Sequence, residues 1–377
     1  MRIAIDARAW EWAGIGRYIR NLLSEYARLE HPYVFEVLVG SRTEEAAVHA
    51  LGDNRLTTRL VEPSYYSWRE QVLFRRQLAG LSVDLVHFTH FNVPLFYSGP
   101  SVVTIHDVTR FYFPGQRVPQ ELLRQVFYEQ VFAHAVRRAR QVICVSETTC
   151  LALAALPLRI SRQPVVIPEG VAERFFAAPA AERQQVRARL GFDGPYVLSV
   201  GVWMGHKNLR RTLAAFTAVR RVRPDVRLVI TGRAQPRYVN VPAKAAQLQI
   251  PEEAIVYPGF ISDELLPAMY AEAAVLLFPS LYEGFGLPAL EALAAGIPVV
   301  AAQAGSLPEV LDGAAFLVNP EYEPGIARAV LQVLAGDGDL EGLRAAGRER
   351  ARRFSWKECA RRTLHVYDEV LRGRKKR

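Results

Sequence analysis

Short runs rich in Val and Ile alternate with longer stretches of helical periodicity along the whole chain, and this rhythm restricts the fold more than any other feature. The runs RIAI (2–5), FEVLV (35–39), LVHF (85–88), SVVTI (101–105) and QVICV (141–145) form a first series. A Pro- and Ala-containing stretch near residues 168–190 follows. The second series is YVLSV (196–200), VRLVI (226–230), AIVY (254–257), AVLLF (274–278), IPVVAA (297–302) and AAFLV (314–318). Strands that are apolar on both faces and separated by helices belong to parallel sheets. Two such series predict two doubly wound α/β domains. The chain then closes with helical patterns from about Pro324 to Leu334, in GLRAAGRERARRF and in WKECARRTLHVYDEVLRG.

Length agrees, because 377 residues exceed the roughly 100–200 that one core uses. Half of the residues are hydrophobic, which suits large cores and excludes general disorder. The formal charge of +9 is spread along the chain, apart from clusters such as Arg137-Arg138 and the solvated tail Arg374-Lys375-Lys376-Arg377. It favours anionic partners without choosing among nucleotides, phospholipid head groups and nucleic acid. Cys144, Cys150 and Cys359 show neither paired nor metal-ligand spacing, which fits a reducing cytoplasm. MRIAIDARAW reads as a strand running into polar residues rather than a signal peptide. No run of about 18 uncharged apolar residues suggests a membrane span.

In open parallel sheets ligands bind beyond the carboxyl ends of the strands, so the residues leaving each strand are the candidates. The first series offers Gly14 and Gly16 before a helix, His106-Asp107, and Ser146-Glu147. His87 and His90 carry weaker claims than His106. The second series offers Gly201 with Met204-Gly205-His206-Lys207-Asn208, then Thr231-Gly232-Arg233, Pro258-Gly259-Phe260 and Pro279-Ser280. Gly14 and Gly16 permit close backbone approach to a helix N-terminus, where free amides attract anions. A dinucleotide fingerprint would need a small residue at Ile19, so a nicotinamide oxidoreductase is the weaker reading. A tight turn without ligand explains the two glycines equally well.

The stretch YEGFGLPALEALAAGIPVV (282–300) is more specific. Pro288 suits the first turn of a helix, which would leave Phe285, Gly286 and Leu287 as exposed N-terminal backbone able to meet phosphate or sugar oxygens. Glu291 is expected in the first helical turn and Glu283 just before it. Ionised carboxylates accept hydrogen bonds from vicinal hydroxyls such as those of a ribose or a hexose. Taken singly, Glu291 would complement the helix dipole and Glu283 would be a loop charge.

These residues carry a resemblance. PSLYEGFGLPALEALAAGIPVV, with seven residues between Glu283 and Glu291, resembles the signature of retaining nucleotide-sugar glycosyltransferases of family four. DARAWEWAGIGRYIRNLL, WREQVLFRRQL, TIHDVT, VICVSE, LSVGVWMGHKNL, YPGFISDELLPAMYAEAAVLLFPS and GSLPEVL follow in family order. The GIGRY, HKN and FSW segments are most similar to bacterial mannosyltransferases. The resemblance implies a GT-B fold, α/β with two Rossmann-like domains facing across a cleft. Residues 1–172, completed by a terminal helix crossing back over 355–377, would bind the acceptor, and residues 173–354 the nucleotide-sugar donor.

The resemblance also implies roles. Glu291 would hold the ribose hydroxyls and Glu283 a hydroxyl of the donor sugar, with backbone amides from Gly284, Phe285, Gly286 and Leu287. Lys207 would neutralise the diphosphate, with Gly14, Gly16 and Gly201 close to it, and Pro258, Gly259, Phe260 and Ile261 would hold the base. His106 would lie by the donor sugar and the acceptor, making His106, Lys207 and Glu283 the catalytic set. Many relatives read Pro-Arg-Lys-Asn where this chain has Gly205-His206-Lys207-Asn208, so His206 replaces a fixed guanidinium by an imidazole, and Arg233 or Arg17 is expected to compensate.

Leaving-group charge would then be stabilised by Lys207 and amides, so no metal and no other cofactor is expected. Asp337-Gly338-Asp339, between predicted helices, reads as a turn rather than a metal motif. The expected reaction is retaining transfer of a hexose, mannose from GDP-mannose first, to a saccharide or lipid-linked saccharide, forming an α linkage. UDP-glucose or UDP-N-acetylglucosamine transfer and a non-catalytic sugar-nucleotide binder are the alternatives. No nucleic-acid partner is expected. Tyr65-Tyr66-Ser67-Trp68-Arg69, Phe74-Arg75-Arg76 and Pro94-Leu95-Phe96-Tyr97 mix aromatic and basic groups as an interfacial segment does. They suggest a cytoplasmic protein touching an anionic inner leaflet; a helix packed at the domain cleft is the alternative.

Overall fold

Every apolar run of the two series pairs in parallel with a neighbour, in two separate sheets. The structure, a computed structural model, describes residues 1–62, 65–113, 119–235 and 239–375. The last two residues of the basic tail, Lys376 and Arg377, lie outside the described residues. In the first sheet the strands are β1 (Arg2–Asp6), β2 (Val34–Val39), β3 (Leu56–Leu60), β4 (Leu85–Phe88), β5 (Ser101–Ile105), β6 (Gln141–Cys144) and β7 (Val165–Val166). Their order is β3-β2-β1-β4-β5-β6-β7. The second sheet contains β8 (Tyr196–Val200), β9 (Arg227–Thr231), β10 (Ile255–Gly259), β11 (Val275–Phe278), β12 (Val299–Ala302) and β13 (Phe316–Val318). Its order is β10-β9-β8-β11-β12-β13. Both orders reverse beside the first strand of their series, at the β1/β4 and β8/β11 neighbours, which is where a doubly wound sheet opens a crevice.

Strands β3 and β7 escape the sequence reading, and the reason is their position. Each ends the first sheet, so it is covered less than a central strand. β3, LTTRL, buries only its first residue fully, and β7 is two half-buried valines. Neither yields a continuous apolar run.

The chain divides into two compact units, Met1–Gly170 with Trp356–Arg377, and Val171–Ser355. In the first unit the final helix, Trp356–Lys375, packs on the helix Ala13–Arg28. Tyr367 Oη lies 3.0 Å from Tyr26 Oη and 2.6 Å from His87 Nδ1, and His87 Nε2 lies 2.8 Å from Thr104 Oγ1. These polar tips satisfy one another in a buried layer, tying the last helix to β4 and β5. In the second unit Val197, Leu228, Ile230 and Leu277 pack with Phe216 and Val330 from the helices Leu209–Val222 and Glu323–Ala335. That core fixes strands β8, β9 and β11. Asp339 caps the helix Leu340–Arg352, its carboxylate accepting from the Gly342 amide at 2.8 Å, and Gly338 is left-handed at φ 88°. Asp337-Gly338-Asp339 is therefore a turn. No described helix is long and apolar enough to cross a membrane.

Candidate functional site

In the second unit the exits of β8, β9 and β10 are drawn together largely through their backbone. Gly201 adopts φ 136° and Gly232 φ 107°, conformations that L side chains rarely take. A Cβ on Gly232 would stand 2.1 Å from the Gly201 carbonyl oxygen. The Gly232 amide donates to Gly259 O at 3.1 Å, and the Trp203 amide to Arg233 O at 3.0 Å. Glycine is what lets these strand ends approach.

Beyond Gly201 the turn Gly205–Lys207 leads into Asn208, which is left-handed at φ 60°. Asn208 offsets that strain by donating from Nδ2 to Pro279 O at 3.0 Å and to Pro320 O at 2.7 Å. The Leu281 amide donates to His206 O at 2.7 Å, so the turn is fastened to the loop after β11. Lys207 thereby runs along Gly201, where an added Cβ would meet its Cε at 3.5 Å. Its Nζ lies 5.0 Å from the Phe278 ring centroid and 2.7 Å from Glu283 Oε1. Lys207 and Glu283 expose 17% and 11% of their side chains, so the ion pair is weakly screened.

Glu283 is held from behind. Its carbonyl accepts from the Ser306 amide and from Ser306 Oγ, each at 3.1 Å. Gly305, at φ 56°, has no room for a Cβ, which would fall 2.7 Å from Glu283 N and O. The sequence reading missed Ser306, Gly305 and the bracing role of Asn208. GSLPEVL, already a recognised segment, was the available signal.

Two expectations about the following segment need correction. Phe285, Gly286 and Leu287 are buried rather than exposed. Phe285 meets Phe354 edge-on at 5.6 Å, and a Cβ on Gly286 would strike Leu307 Cδ2 at 2.6 Å. The turn is packed under its neighbours, and Gly284 is buried with it. Gly286, left-handed at φ 97°, precedes the helix Leu287–Ala295, which has Pro288 in its first turn. Because the helix begins at Leu287, Glu291 falls in its second turn and its first turn is free of acidic residues. Dipole complementarity therefore does not account for Glu291. Its buried carboxylate accepts from Tyr270 Oη at 3.0 Å, a partner that sequence reading did not name.

Arg233 and Phe260 form an exposed pair, the guanidinium 5.9 Å from the ring centroid, whereas Ile261 is buried. Arg189 Nη2 donates to Pro258 O and Phe260 O, at 2.9 Å each, fixing the β10 exit. His206 is half-buried in its turn. The structure thus joins Gly201, Lys207 and Glu283 directly, and sets Arg233 with Phe260 at the adjoining strand ends.

His106, Gly14 and Gly16 belong to the first unit. His106 leaves β5 with Nδ1 2.8 Å from Glu169 Oε1 and Nε2 2.9 Å from Thr89 O, and its ring meets Tyr18 edge-on at 4.9 Å. Glu169 was missed because it follows β7, the strand too short to read. Gly14 and Gly16 separate. A Cβ on Gly16 would stand 2.1 Å from Trp10 O, so this glycine is required by packing. Gly14 is exposed with open space around it, in the first turn of a helix that has no side-chain cap and no acidic residue there. Arg17 lies one turn on, in that same helix.

The family model described as Glycosyltransferase Family 4 matches residues 12–175, and that described as Glycosyl transferases group 1 matches residues 182–353. The chain is 30% identical over 277 residues to O-antigen chain mannosyltransferase B of Escherichia coli, covering 71% of this chain and 70% of that one. It is 29% identical over 314 residues to a D-inositol 3-phosphate glycosyltransferase of Segniliparus rotundus, covering 81% and 68% respectively. Among solved structures it shares the fold of Anabaena HepE in complex with UDP-glucose, with a TM-score of 0.77 and 17% identity over 98% of this chain and 100% of that one. Matched in both halves by family models and over most of its length by a curated relative, the chain belongs to the family four glycosyltransferases of GT-B fold and is a glycosyltransferase enzyme resembling the bacterial mannosyltransferases.

Proposed function

We propose that the protein transfers mannose from GDP-mannose to a hydroxyl of a saccharide or lipid-linked saccharide, with retention of configuration, an α linkage and no metal. The observation that carries this reading is the Lys207–Glu283 pair at 2.7 Å beside the side-chain-free exit of β8. A cation suited to a diphosphate beside a carboxylate suited to sugar hydroxyls supports the reading. The mannosyl donor rests on the likeness to the E. coli O-antigen mannosyltransferase.

On this reading Lys207 binds the diphosphate and stabilises the charge that develops on the bridging oxygen as the sugar C1–O bond breaks. Glu283 accepts from a sugar hydroxyl, oriented by Ser306 and Gly305. Glu291, fixed by Tyr270, accepts from the ribose hydroxyls. Arg233, Phe260 and Ile261 border the base, His206 adds a weaker diphosphate contact, and Gly14 and Gly201 allow close backbone approach. The acceptor oxygen bonds to C1 on the face the leaving group vacates, and its proton passes to the departing phosphate oxygen. His106, engaged at both ring nitrogens, orients the reactants rather than carrying that proton. Residues 173–354 are then the donor domain, and residues 1–172 with 355–377 the acceptor domain.

A UDP-sugar donor is the second reading, favoured by the likeness to HepE solved with UDP-glucose. A thermal-shift screen of GDP-mannose, UDP-glucose and UDP-N-acetylglucosamine in EDTA separates the two, since ligand at 100 times its Kd stabilises by roughly 2.7 kcal/mol. The mannosyl reading requires the largest shift with GDP-mannose; a larger shift with a UDP-sugar contradicts it. Silence with all three favours a different ligand altogether. Proton NMR of the fresh product reads the anomer, and a β product or a trapped glycosyl-enzyme contradicts retention by this route. We also place the protein in the cytoplasm at an anionic membrane surface, because Trp68, Phe96 and Leu123 are exposed in the first unit, whose exposed side chains also include Arg69 and Arg75. Sedimentation with liposomes that ignores anionic lipid content would remove that placement.

A further inference from the structure

The first unit holds a second group of polar atoms that the donor chemistry does not use. Trp12 follows the β1 exit, His90 and Asn92 follow β4, and Tyr65 and Tyr66 precede the helical segment that starts near Trp68. Their rings converge: centroids are 4.7 Å apart for Trp12 and Tyr65, 5.4 Å for Trp12 and His90, and 6.5 Å for Tyr66 and His90. Among the described residues His90 Nδ1, Tyr65 Oη and Asn92 Oδ1 are buried without a hydrogen-bond partner. His90 is only 8% exposed, whereas Trp12 and Tyr66 are 37% and 40% exposed. Buried polar atoms are almost always paired, so three orphans in one aromatic cluster with an open rim ask for a ligand that brings hydroxyls.

The surrounding charge restricts what that ligand can be. Arg8 lies under Tyr65, 4.4 Å from its centroid, and is already neutralised by Asp6 at 2.8 Å and Glu70 at 3.0 Å. Glu70 also accepts from Asn92 Nδ2 and from the Tyr66 amide, which holds Asn92 and Tyr66 in place. Burial keeps the His90 ring in its neutral form. The cluster therefore offers aromatic faces and uncharged hydrogen-bonding atoms, with its cation already matched by carboxylates. Sugar rings present just such a pairing of C–H faces and hydroxyl edges.

We propose that Trp12, Tyr65, Tyr66, His90 and Asn92 form the subsite for the neutral pyranose ring that accepts the transferred sugar. The ring lies against Trp12 and Tyr66, and its hydroxyls pair with His90 Nδ1, Tyr65 Oη and Asn92 Oδ1. The assignment of this ring as acceptor rests on the transferase reading above. It deepens that reading by naming the residues that select the acceptor.

The test titrates the full chain with methyl α-mannopyranoside by saturation-transfer NMR, while GDP-mannose affinity is measured separately by thermal shift. Trp12→Ala and His90→Phe are each expected to weaken the glycoside by about tenfold, the scale of a lost stacking or hydrogen-bond contact, and to raise acceptor KM with kcat largely kept. Donor affinity is expected to stay within twofold. Glycoside binding that is absent in the wild type, or as tight in Trp12→Ala as in the wild type, overturns the proposal, as does displacement of the glycoside by millimolar inorganic phosphate. Trp12 is at the surface, so Trp12→Ala decides the matter even where His90→Phe fails to fold. Trp12-dependent glycoside binding in a protein that binds no nucleotide sugar would keep the subsite and reject the donor reading.

Discussion

The two units build their chemistry from different materials. Of the eleven described glycines in left-handed or similarly positive φ, ten lie in the second unit and only Gly52 in the first. The second unit shapes its strand exits with bare backbone, and then adds a few side chains, Lys207, Glu283 and Glu291. The first unit instead uses buried side-chain networks, Asp6–Arg8–Glu70–Asn92 on one side and His87–Tyr367–Tyr26 on the other. Backbone amides suit a phosphate, which every nucleotide sugar carries. Side-chain pockets suit an acceptor, whose shape differs from one enzyme to another.

That contrast can be broken from either side. The largest effect is expected in the first unit, where Glu70→Ala leaves the buried Arg8 with Asp6 alone and strips the acceptor from Asn92 Nδ2 and the Tyr66 amide. A loss of about 3–5 kcal/mol in a denaturant melt follows from removing one partner of a buried pair. A loss below about 1 kcal/mol would mean that Asp6 alone suffices. In the second unit Gly232→Ala forces a Cβ to within 2.1 Å of Gly201 O at φ 107°. It should cost about 1–3 kcal/mol of stability and weaken donor binding, read by melting with and without GDP-mannose. Wild-type behaviour would show that backbone proximity is not what shapes the site.

Acid should reach the first unit before the second. Burial pushes His87 down to about 3 from an ordinary 6.5, and His90 well below 6.5. Both rings are neutral when folded and take up protons on unfolding below pH 6.5, so stability is full above that value and falls as pH drops toward 3. At pH 5 one such histidine removes about 2 kcal/mol. Tm measured from pH 7.5 to 5 should fall, with a shallower slope in His87→Gln; an identical slope contradicts the assignment. The smallest effect sharpens the donor side. Tyr270→Phe removes one hydrogen bond from Glu291, and GDP-mannose affinity should drop about fivefold, near 1 kcal/mol. An unchanged Kd would detach Glu291 from the donor.

The same contrast explains what the sequence revealed. Parallel strands buried on both faces announce themselves as Val- and Ile-rich runs, so β1, β8 or β11 needed no partner to be read. Glycines at strand exits were legible too, because only a few residues permit those turns. Lys207 and Glu283 could each be picked out, but not their contact across 76 positions. Glu169, Tyr270 and Ser306 looked ordinary, since each matters through a distant partner. His87 and His90 looked alike in sequence; one is satisfied by Tyr367 and Thr104 while the other keeps a bare Nδ1. Phe285 to Leu287 were expected at the surface because local reasoning sees a helix start, not the Leu307 and Phe354 side chains that cover it.

The most direct measurement is the rate of GDP release from GDP-mannose with acceptor present and EDTA in excess, in the wild type and in Glu283→Ala. Turnover should persist in the chelator and fall by about 10²–10³ in the variant, the scale of losing one preorganised polar contact in a transition state. Loss of wild-type turnover in EDTA, or an unchanged rate in Glu283→Ala, would contradict a metal-free donor site built on Lys207 and Glu283.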